Sequence, residues 1–386
     1  DYRKQVILDA AVADGLITMI AAADGTRPML PVPLNDGETP LDRTLVDCCA
    51  MSWRRADKER PDLSDAAHTK ELTNVFITHK VCHPVHYNGT DPLHRSHDLF
   101  DIKLADDSGK SRFVVGKVIG GGEAVDVGIP LYSPTMDMKL IYTMLSVGLQ
   151  NKLELSVADV SAAFLRSKMP VPGVLVLLEK HMVDRLLAMD ELPRHWAAFR
   201  RKDGTMVVEC DRAWYGQQSC CAIWNGEINR AIVDRCGYTR HSIVPCLYYR
   251  DVGNGEKAYI MLFVDDLGML TARNGTEKER VTKILEHDFG VMTKQDGDRV
   301  KYVGFEIYRN RKEDRFEVTM EKRAKKLAVK QNVKVTATNP ARADGSFTEQ
   351  AAEDKSEPVD VTQFRSLVMS ERYLTQVMPE CLFHTS

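Results

Sequence analysis

Short apolar runs, each ended by charged residues, predict a chain of alternating helices and strands. Leu153 to Val160 has the pattern of a strand and carries Asp159 near its end. Two further apolar runs, Ala258 to Val264 and Leu267 to Thr271, predict strands on either side of Asp265-Asp266. Because strands this close in sequence pair as a hairpin, we expect both acids at its tip.

The remaining pattern predicts further helices and hairpins around these strands. Helical spacing predicts helices over 134–150, 181–200, 219–236 and 276–289, a basic helix starting at 321–330, and a helix over 63–77 capped by Ser64. Hairpins are predicted over 99–118 and, with strands at 301–308 and 315–320, beyond residue 300. Acids on a hairpin, rather than at the ends of parallel strands, indicate an α+β fold.

Composition sets limits on the class of protein. The chain has 386 residues, of which 44% are hydrophobic and 28% charged, which is typical of a globular protein. No apolar run approaches the roughly 20 residues of a membrane span, and the first residues do not open a secretory signal. Nine cysteines without a Cys-x-x-Cys motif indicate reduced thiols, so an intracellular location is expected and no membrane.

The charge is spread unevenly along the chain. The net charge of −3 lacks the basic excess that many nucleic-acid-binding proteins carry. Residues 299–334, however, contain twelve Lys and Arg against five Asp and Glu. A local excess of this kind attracts polyanions more strongly than the total charge suggests.

The acid pair is chemically unusual for a hairpin tip. Two adjacent carboxylates between buried strands repel each other and are costly to desolvate. A solvated turn without a metal is the alternative, but such a turn favours Asn-Gly or Asp-Gly over Asp-Asp. Hard oxygen ligands for a divalent cation explain Asp265-Asp266 better, with Asp159 as a third carboxylate.

The three acids predict a site for two Mg²⁺ ions, for which Mn²⁺ can substitute. Consecutive strand residues point to opposite faces, so Asp265 and Asp266 are not expected to ligate equally. We expect Asp159 and Asp265 to bridge both ions and Asp266 to be more peripheral. The backbone carbonyl of Val160 is a further expected oxygen ligand.

Seven ordered motifs resemble copia-type retrotransposon reverse transcriptases across roughly residues 50–380. Phe263-Val-Asp-Asp266 resembles the Tyr-Val-Asp-Asp box of that family, and Asp159-Val-Ser-Ala-Ala-Phe-Leu165 resembles its Asp-Val-x-x-Ala-Phe-Leu box. Ala213-Trp-Tyr-Gly-Gln-Gln-Ser219, followed by Trp224, resembles the Leu-Tyr-Gly-x-x-Gln box. The other similar segments are Lys110–Val114, Tyr132–Pro134, Tyr302–Ile307, and Phe364–Leu367 with Tyr373–Thr375.

The resemblance implies a right-hand polymerase and an RNA-directed DNA polymerase activity that adds dNMP to a primer 3′ end. Its implied parts are fingers at 50–132, palm at 133–300, primer grip and thumb at 301–340, and a connection-like segment at 341–386. Residues 1–49 form an N-terminal extension of unknown role. Implied partners are an RNA template, a DNA or RNA primer and dNTPs, inside a polyprotein or ribonucleoprotein. The cytoplasm or a retrotransposon particle is the implied location.

The resemblance also implies a role for individual residues. The catalytic carboxylates are Asp159, Asp265 and Asp266. Phe164 matches the aromatic gate that excludes a ribose 2′-hydroxyl. The nucleotide contacts are Lys110, Arg112, Gln217 and Gln218. The primer grip is Tyr302, Val303, Gly304 and Phe305. The cations that contact the nucleic-acid backbone are Lys322, Arg323, Lys325, Lys326 and Lys330. A core Phe and solvated polar faces are the alternatives for these matches.

Some residues depart from the family pattern and keep a second function open. Tyr142 stands at a usual Arg, Cys220-Cys221 replace a usual Pro-Arg pair, and Met378 replaces another Arg. A domesticated reverse-transcriptase fold that serves as a structural or RNA-binding subunit is therefore the alternative. An RNA-dependent RNA polymerase is disfavoured by the bulky Phe164.

A zinc site is a separate candidate. Its ligands would come from Cys82, His83, His86, His94 and His97. Their spacing fits no standard zinc finger, so loop histidines without a metal are the preferred interpretation.

Overall fold

A computed structural model describes residues 51–103, 108–119, 132–253 and 255–321, and the single positions Ala324 and Met369. The expected N-terminal extension at 1–49 lies outside the described residues. So do the five basic residues expected in the thumb and, apart from Met369, the connection-like segment at 341–386.

The described chain is a mixed α+β structure built mainly from antiparallel strands, as the pattern predicts. The strands are β1 Met51–Ser52, β2 Cys82–Pro84, β3 Leu93–Lys103, β4 Ser108–Ile119, β5 Leu153–Asp159, β6 Leu175–Leu178, β7 Met206–Cys210, β8 Thr239–Arg240, β9 Leu247–Gly253, β10 Glu256–Phe263, β11 Asp266–Ala272, β12 Thr293–Gln295, β13 Arg299–Tyr302, β14 Phe305–Asn310 and β15 Arg315–Thr319. The helices are α1 Trp53–Glu59, α2 Pro61–Leu72, α3 Met138–Gln150, α4 Ala163–Arg166, α5 Lys180–Leu187, α6 Cys220–Arg230 and α7 Glu277–Phe289.

These strands form three sheets. The first has the order β1-β3-β6-β7-β2, with β4 also paired to β3. The second has the order β12-β5-β11-β10-β9-β8, and the third is β13-β14-β15. Within them, β3 and β6 pair in parallel. The second sheet carries all three acids of the candidate site, and it is therefore called the acidic sheet below.

The acidic sheet is covered on both faces, which explains its continuous apolar strands. Leu155 and Val157 of β5 pack with α3 and the third sheet, in a cluster that also holds Tyr302. Ala158 of β5 packs on the opposite side with α6 and α7, in a cluster that holds Trp224. Strand β5 therefore lies between two cores, and its partly exposed residues are Glu154 near its start and Asp159 at its end.

Three of the predicted elements differ in the structure. The helix predicted over 63–77 begins at Pro61 in the structure, so Ser64 lies inside it. The Ser64 hydroxyl donates to Asp57 Oδ1 at 2.5 Å instead of capping the helix. The helix predicted over 181–200 ends at Leu187, because a loop leads to Pro193 and a separate 3-10 turn at Arg194–Phe199.

The strand predicted over 301–308 is divided by a turn. Val303 and Gly304 have φ of +51° and +77°, which makes a tight turn between β13 and β14. The third sheet is consequently a three-stranded meander rather than one hairpin. The turn directs the Val303 backbone towards the acidic sheet, where it matters for the site.

Tyr302 fastens the third sheet to the acidic sheet. Its side chain is fully buried, and its hydroxyl donates to the Met261 carbonyl at 2.8 Å. The ring fills the space above Gly268, where an added Cβ would lie 3.1 Å from Tyr302 Cζ. A glycine in strand β11 therefore allows this close approach.

We predict that Tyr302→Phe lowers the free energy of unfolding by about 1–2 kcal/mol, because the buried bond to Met261 is lost while the ring remains. Urea denaturation of the wild type and the variant measures this difference. Tyr308→Phe is the matched control, since Tyr308 is 39% exposed on the same sheet and its replacement should change little. Equal losses in the two variants would show that Tyr302 does not act as the fastening.

Candidate active site

The hairpin between β10 and β11 is strained at its tip. Phe263 pairs with Asp266, which leaves Val264 and Asp265 as a two-residue turn. Val264 has a φ of +55°, a conformation that β-branched residues rarely adopt and that glycine normally occupies in such turns. Strain of this kind costs on the order of 1–3 kcal/mol and is retained where the surroundings hold it in place.

Two hydrogen bonds hold this turn. The Trp224 indole Nε1 donates to the Val264 carbonyl at 2.7 Å, and the Val160 N–H donates to the Asp265 carbonyl at 3.1 Å. Trp224 is buried on α6, so the turn is fixed between that helix and the end of β5. The part played by Trp224 was not foreseen from the sequence, although it falls in one of the motifs quoted above.

The strand register brings the three expected acids to one end of the acidic sheet. Asp266 on β11 is the direct cross-strand partner of Asp159 on β5, so both side chains project from the same face. Asp265 precedes Asp266 in the turn, and Thr293 of β12 pairs with Asp159 on the other edge of β5. The structure therefore gathers residues that are more than a hundred positions apart in sequence.

The acids repel one another. The pKa of Asp266 is raised to about 6, first by burial and then by the charges of Asp265 and Asp159. The backbone N–H of Val303 donates to the Asp266 carboxylate and partly offsets this rise. A divalent cation would relieve the repulsion, because it supplies the positive charge that the partly buried acids otherwise lack.

The donor atoms fit a hard cation, but they are not already arranged around one. Among the described residues, no three His, Cys, Asp or Glu side chains are placed to hold a metal ion between them. Carboxylates without a cation repel, so their rotamers need not converge. What the structure shows is the pairing of Asp159 with Asp266 across β5 and β11, and a metal site at their carboxylates stays a prediction. Val160 is fully buried at the end of β5, beside this register.

The residues expected at the nucleotide occupy different surroundings. Phe164 on α4 is half-buried and meets Tyr215 edge-on, with ring centroids 6.2 Å apart. Gln217 is buried, where its Oε1 accepts from Trp214 N at 2.8 Å and its Nε2 donates to Cys210 Sγ. Gln217 thus holds its own loop together, whereas the neighbouring Gln218 is exposed.

Lys110 and Arg112 lie on β4 in the first sheet, opposite Asp101 and Leu99 of β3. This backbone register is what the structure gives for these two residues, and their contact with a nucleotide stays a prediction.

Most residues of the expected primer grip are buried, and they form the turn between β13 and β14. Tyr302 and Phe305 are fully buried, Val303 is nearly so, and Gly304 is the exposed one of the four. The side chains of Tyr302 and Phe305 therefore support the hairpin. Its link to the site is the Val303 N–H, a backbone group that no side-chain motif reveals.

The zinc alternative finds no geometric support in the described chain. His83 Nδ1 pairs with Asp211 Oδ2 at 2.8 Å, and His86 stacks on Phe199 at 4.5 Å. Cys82 is fully buried opposite Cys210. No three of the five candidate ligands meet at one point there.

Comparison with known proteins finds likenesses among solved structures. No protein family and no curated protein matches the chain. A solved structure of the foamy viral protease-reverse transcriptase dRH in complex with double-stranded DNA is similar, with 13% identity and a TM-score of 0.37. The match covers 78% of this chain and 38% of that one. In the described residues, no helix is long and apolar enough to cross a membrane.

We predict that Asp266→Asn stabilises the metal-free protein at pH 7.5, by about 2 °C in melting temperature. The pKa of Asp266 in the folded state, about 6, lies above the ordinary value of 3.8, so the folded state keeps the Asp266 proton to a higher pH. Stability is therefore lost as pH rises from about 4 through 6, and the asparagine avoids that loss. The rise in melting temperature should shrink towards zero near pH 4.

Thermal melts in EDTA at pH 4 to 8 measure the effect. Asp190→Asn, which changes an exposed carboxylate in the loop after α5, is the control and should give no pH-dependent gain. A variant less stable than the wild type at pH 7.5 would contradict the repulsion among the three acids.

Proposed function

We propose that this protein is an RNA-directed DNA polymerase that adds dNMP to a primer 3′ end and releases pyrophosphate. The observation that carries the proposal is the strained, clamped turn that holds Asp265 and Asp266 beside Asp159. The strain at Val264 adjoins the charge repulsion among Asp159, Asp265 and Asp266. Such features persist where function needs them, because folding alone is better served by a relaxed turn.

A purely structural hairpin would not require these residues. Glycine in place of Val264 would remove the strain, and an Asn-Gly turn in place of Val264-Asp265 would also remove the carboxylate of Asp265. Burial at this end of the sheet, followed by the charges of Asp265 and Asp159, also raises the pKa of Asp266. A carboxyl group with a perturbed pKa beside other acids is a mark of functional sites.

Asp159 and Asp265 are the residues that would hold two Mg²⁺ ions. Asp266 is more peripheral, which agrees with the Val303 N–H occupying part of its carboxylate. Two bound ions would supply an activated primer 3′-hydroxyl and charge stabilisation on the departing pyrophosphate. The Val160 carbonyl is a further candidate oxygen, and the Val160 N–H already ties β5 to the turn.

The remaining residues of the motifs would bind the substrates. Phe164 would lie against the sugar of the incoming dNTP, and Lys110 and Arg112 would contact its triphosphate. Gln218, which is exposed, suits a nucleotide or template contact better than the buried Gln217. The basic segment after Glu321 would follow the primer–template backbone.

The family assignment is part of the same proposal. The ordered motifs are those of copia-type retrotransposon enzymes, with fingers at 50–132, palm at 133–300 and thumb at 301–340. The acidic sheet then corresponds to the palm. In that setting the protein would act with an RNA template and a DNA or RNA primer, in the cytoplasm or a retrotransposon particle, within a polyprotein or ribonucleoprotein.

One observation favours a second function, an RNA-binding subunit without polymerase activity. Tyr142 stands where the family has an arginine, and in the structure it packs on Phe305 with ring centroids 6.0 Å apart. A core contact has thus replaced a cation, which would weaken the electrostatic attraction of a nucleotide.

Primer extension on poly(rA)/oligo(dT) with dTTP and Mg²⁺ or Mn²⁺ tests the proposal. We expect extension by the wild type and a loss of about a hundredfold or more in Asp265→Asn, because a metal ligand is removed without a change in shape. Asp190→Asn should extend as the wild type does. A folded wild type that binds RNA but extends nothing would reject the polymerase and favour the RNA-binding subunit.

Phe164→Ala should raise the use of rNTPs relative to dNTPs by roughly tenfold or more, because the clash with the 2′-hydroxyl is removed. The ratio of kcat/KM for UTP and dTTP measures this selectivity. Tyr215→Ala removes the ring that Phe164 contacts and controls for loosening of the pocket. An unchanged ratio in Phe164→Ala would leave Phe164 as a core residue.

A further inference from the structure

Three stretches of backbone that are distant in sequence meet beside α4 and bring basic residues together. Arg212 N donates to the Val81 carbonyl at 3.0 Å, and Ala213 N donates to the Ser167 carbonyl at 2.9 Å. These bonds place His79, Arg166 and Arg212 on neighbouring stretches of chain. Lys168, which bridges to Arg212, is exposed at the same place.

The two guanidinium groups are held in position by backbone atoms. Arg212 Nη1 donates to the Arg166 carbonyl at 2.6 Å, and Arg166 Nε donates to the Ser161 carbonyl at 2.8 Å. A Cβ added to Gly290 would lie 2.7 Å from Arg166 Nη1, so this guanidinium packs directly on the Gly290 backbone. Both arginines are half-buried, and in the described part of the chain these bonds use one of the three nitrogens of each guanidinium.

Within the described part of the chain, this pair of cations lacks a carboxylate partner. Neither Arg166 nor Arg212 forms an ion pair there, whereas Arg185, Arg200 and Arg311 each pair with a carboxylate. The neighbouring Asp211 pairs with His83 at 2.8 Å. Burial lowers the pKa of Arg166, and the charge of Arg212 lowers it further. Burial and the charges of both arginines lower the pKa of His79, which is therefore neutral at pH 7.

The cluster lies next to the candidate active site. Gly290, on which Arg166 packs, is three residues before Thr293, the cross-strand partner of Asp159. Arg166 follows Phe164 on α4, and the Tyr215 ring that meets Phe164 is also within electrostatic range of Arg166. An aromatic ring beside fixed cations is the combination that binds single-stranded nucleic acids.

We propose that Arg166 and Arg212 form a binding site for the phosphodiester backbone of the single-stranded template, with Tyr215 beside it. The inference rests on the proposed polymerase function and adds the path of the template strand to it. Arginine suits this role because its planar donors can grip a phosphate in two places. Since the backbone already holds both guanidinium groups, little order is lost when phosphate binds.

The test is equilibrium binding of a fluorescent single-stranded RNA, in EDTA and without dNTP, over a range of salt concentrations. In Arg166→Gln/Arg212→Gln we expect about tenfold weaker binding at 0.1 M salt. The slope of log K against log salt should become shallower by about 1.4, because the variant no longer neutralises two phosphates of the single strand. Unchanged affinity and slope would overturn the proposal.

Two further variants guard against indirect effects. Arg194→Gln/Arg273→Gln removes two exposed arginines, on the 3-10 turn and at the far end of β11, and should leave the slope unchanged. Arg166→Lys/Arg212→Lys keeps both charges and should keep the slope with a smaller loss of affinity. If the lysine variant instead lost as much slope as the glutamine variant, misfolding of the loop would replace phosphate binding as the explanation.

Incoming dNTP is the other source of phosphate near this place, and a kinetic arm separates it from template. At saturating primer–template, the KM for dTTP should be the same in the glutamine variant and the wild type. A raised KM with unchanged RNA binding would assign the arginines to the triphosphate and overturn the template site. Salt-dependent RNA binding through these arginines, in a protein that extends no primer, would retain the site and reject the polymerase.

Discussion

The pairing of Asp159 with Asp266 across β5 and β11 is the constraint on which the rest of the site depends. That register sets two carboxylates side by side at the end of a sheet that packs against an apolar cluster on each face. The pairing of Phe263 with Asp266 leaves a two-residue turn beside them, in which Val264 has a positive φ and which the Trp224 and Val160 bonds hold in place. The packing of α6 and the end of β5 thus hold the strained turn in place.

The third sheet packs on the face of the acidic sheet that lies opposite α6. Tyr302 anchors it to Met261, and the turn that follows directs the Val303 N–H at Asp266. One segment therefore serves both stability and the electrostatics of the acids. This explains why residues that resemble a primer grip are largely buried: their side chains hold the hairpin, and the backbone at its tip reaches the site.

The arginines of the described chain differ in whether a carboxylate already compensates their charge. Arg311 is paired with Glu154 and Asp298, and Arg185 with Asp57 and Asp65, so these cations serve the fold. Arg166 and Arg212 differ, since backbone carbonyls alone hold them in the described structure. Paired cations bind a polyanion weakly, because the ion pair must first be broken. The uncompensated arginines next to the acids are for that reason better suited to bind a phosphate.

The sequence by itself determined the α+β class, the strand that carries Asp159 and the hairpin that carries Asp265 and Asp266, because short apolar runs that end at charged residues report which positions leave water. It did not determine the turn at Val303-Gly304, the burial of Gln217 and Tyr302, or the meeting of Arg166 with Arg212. These depend on which distant segments pack together, and local periodicity carries no information about that. Only the tertiary structure decided them, since hydrogen-bond partners, burial and pKa values arise from neighbours in space.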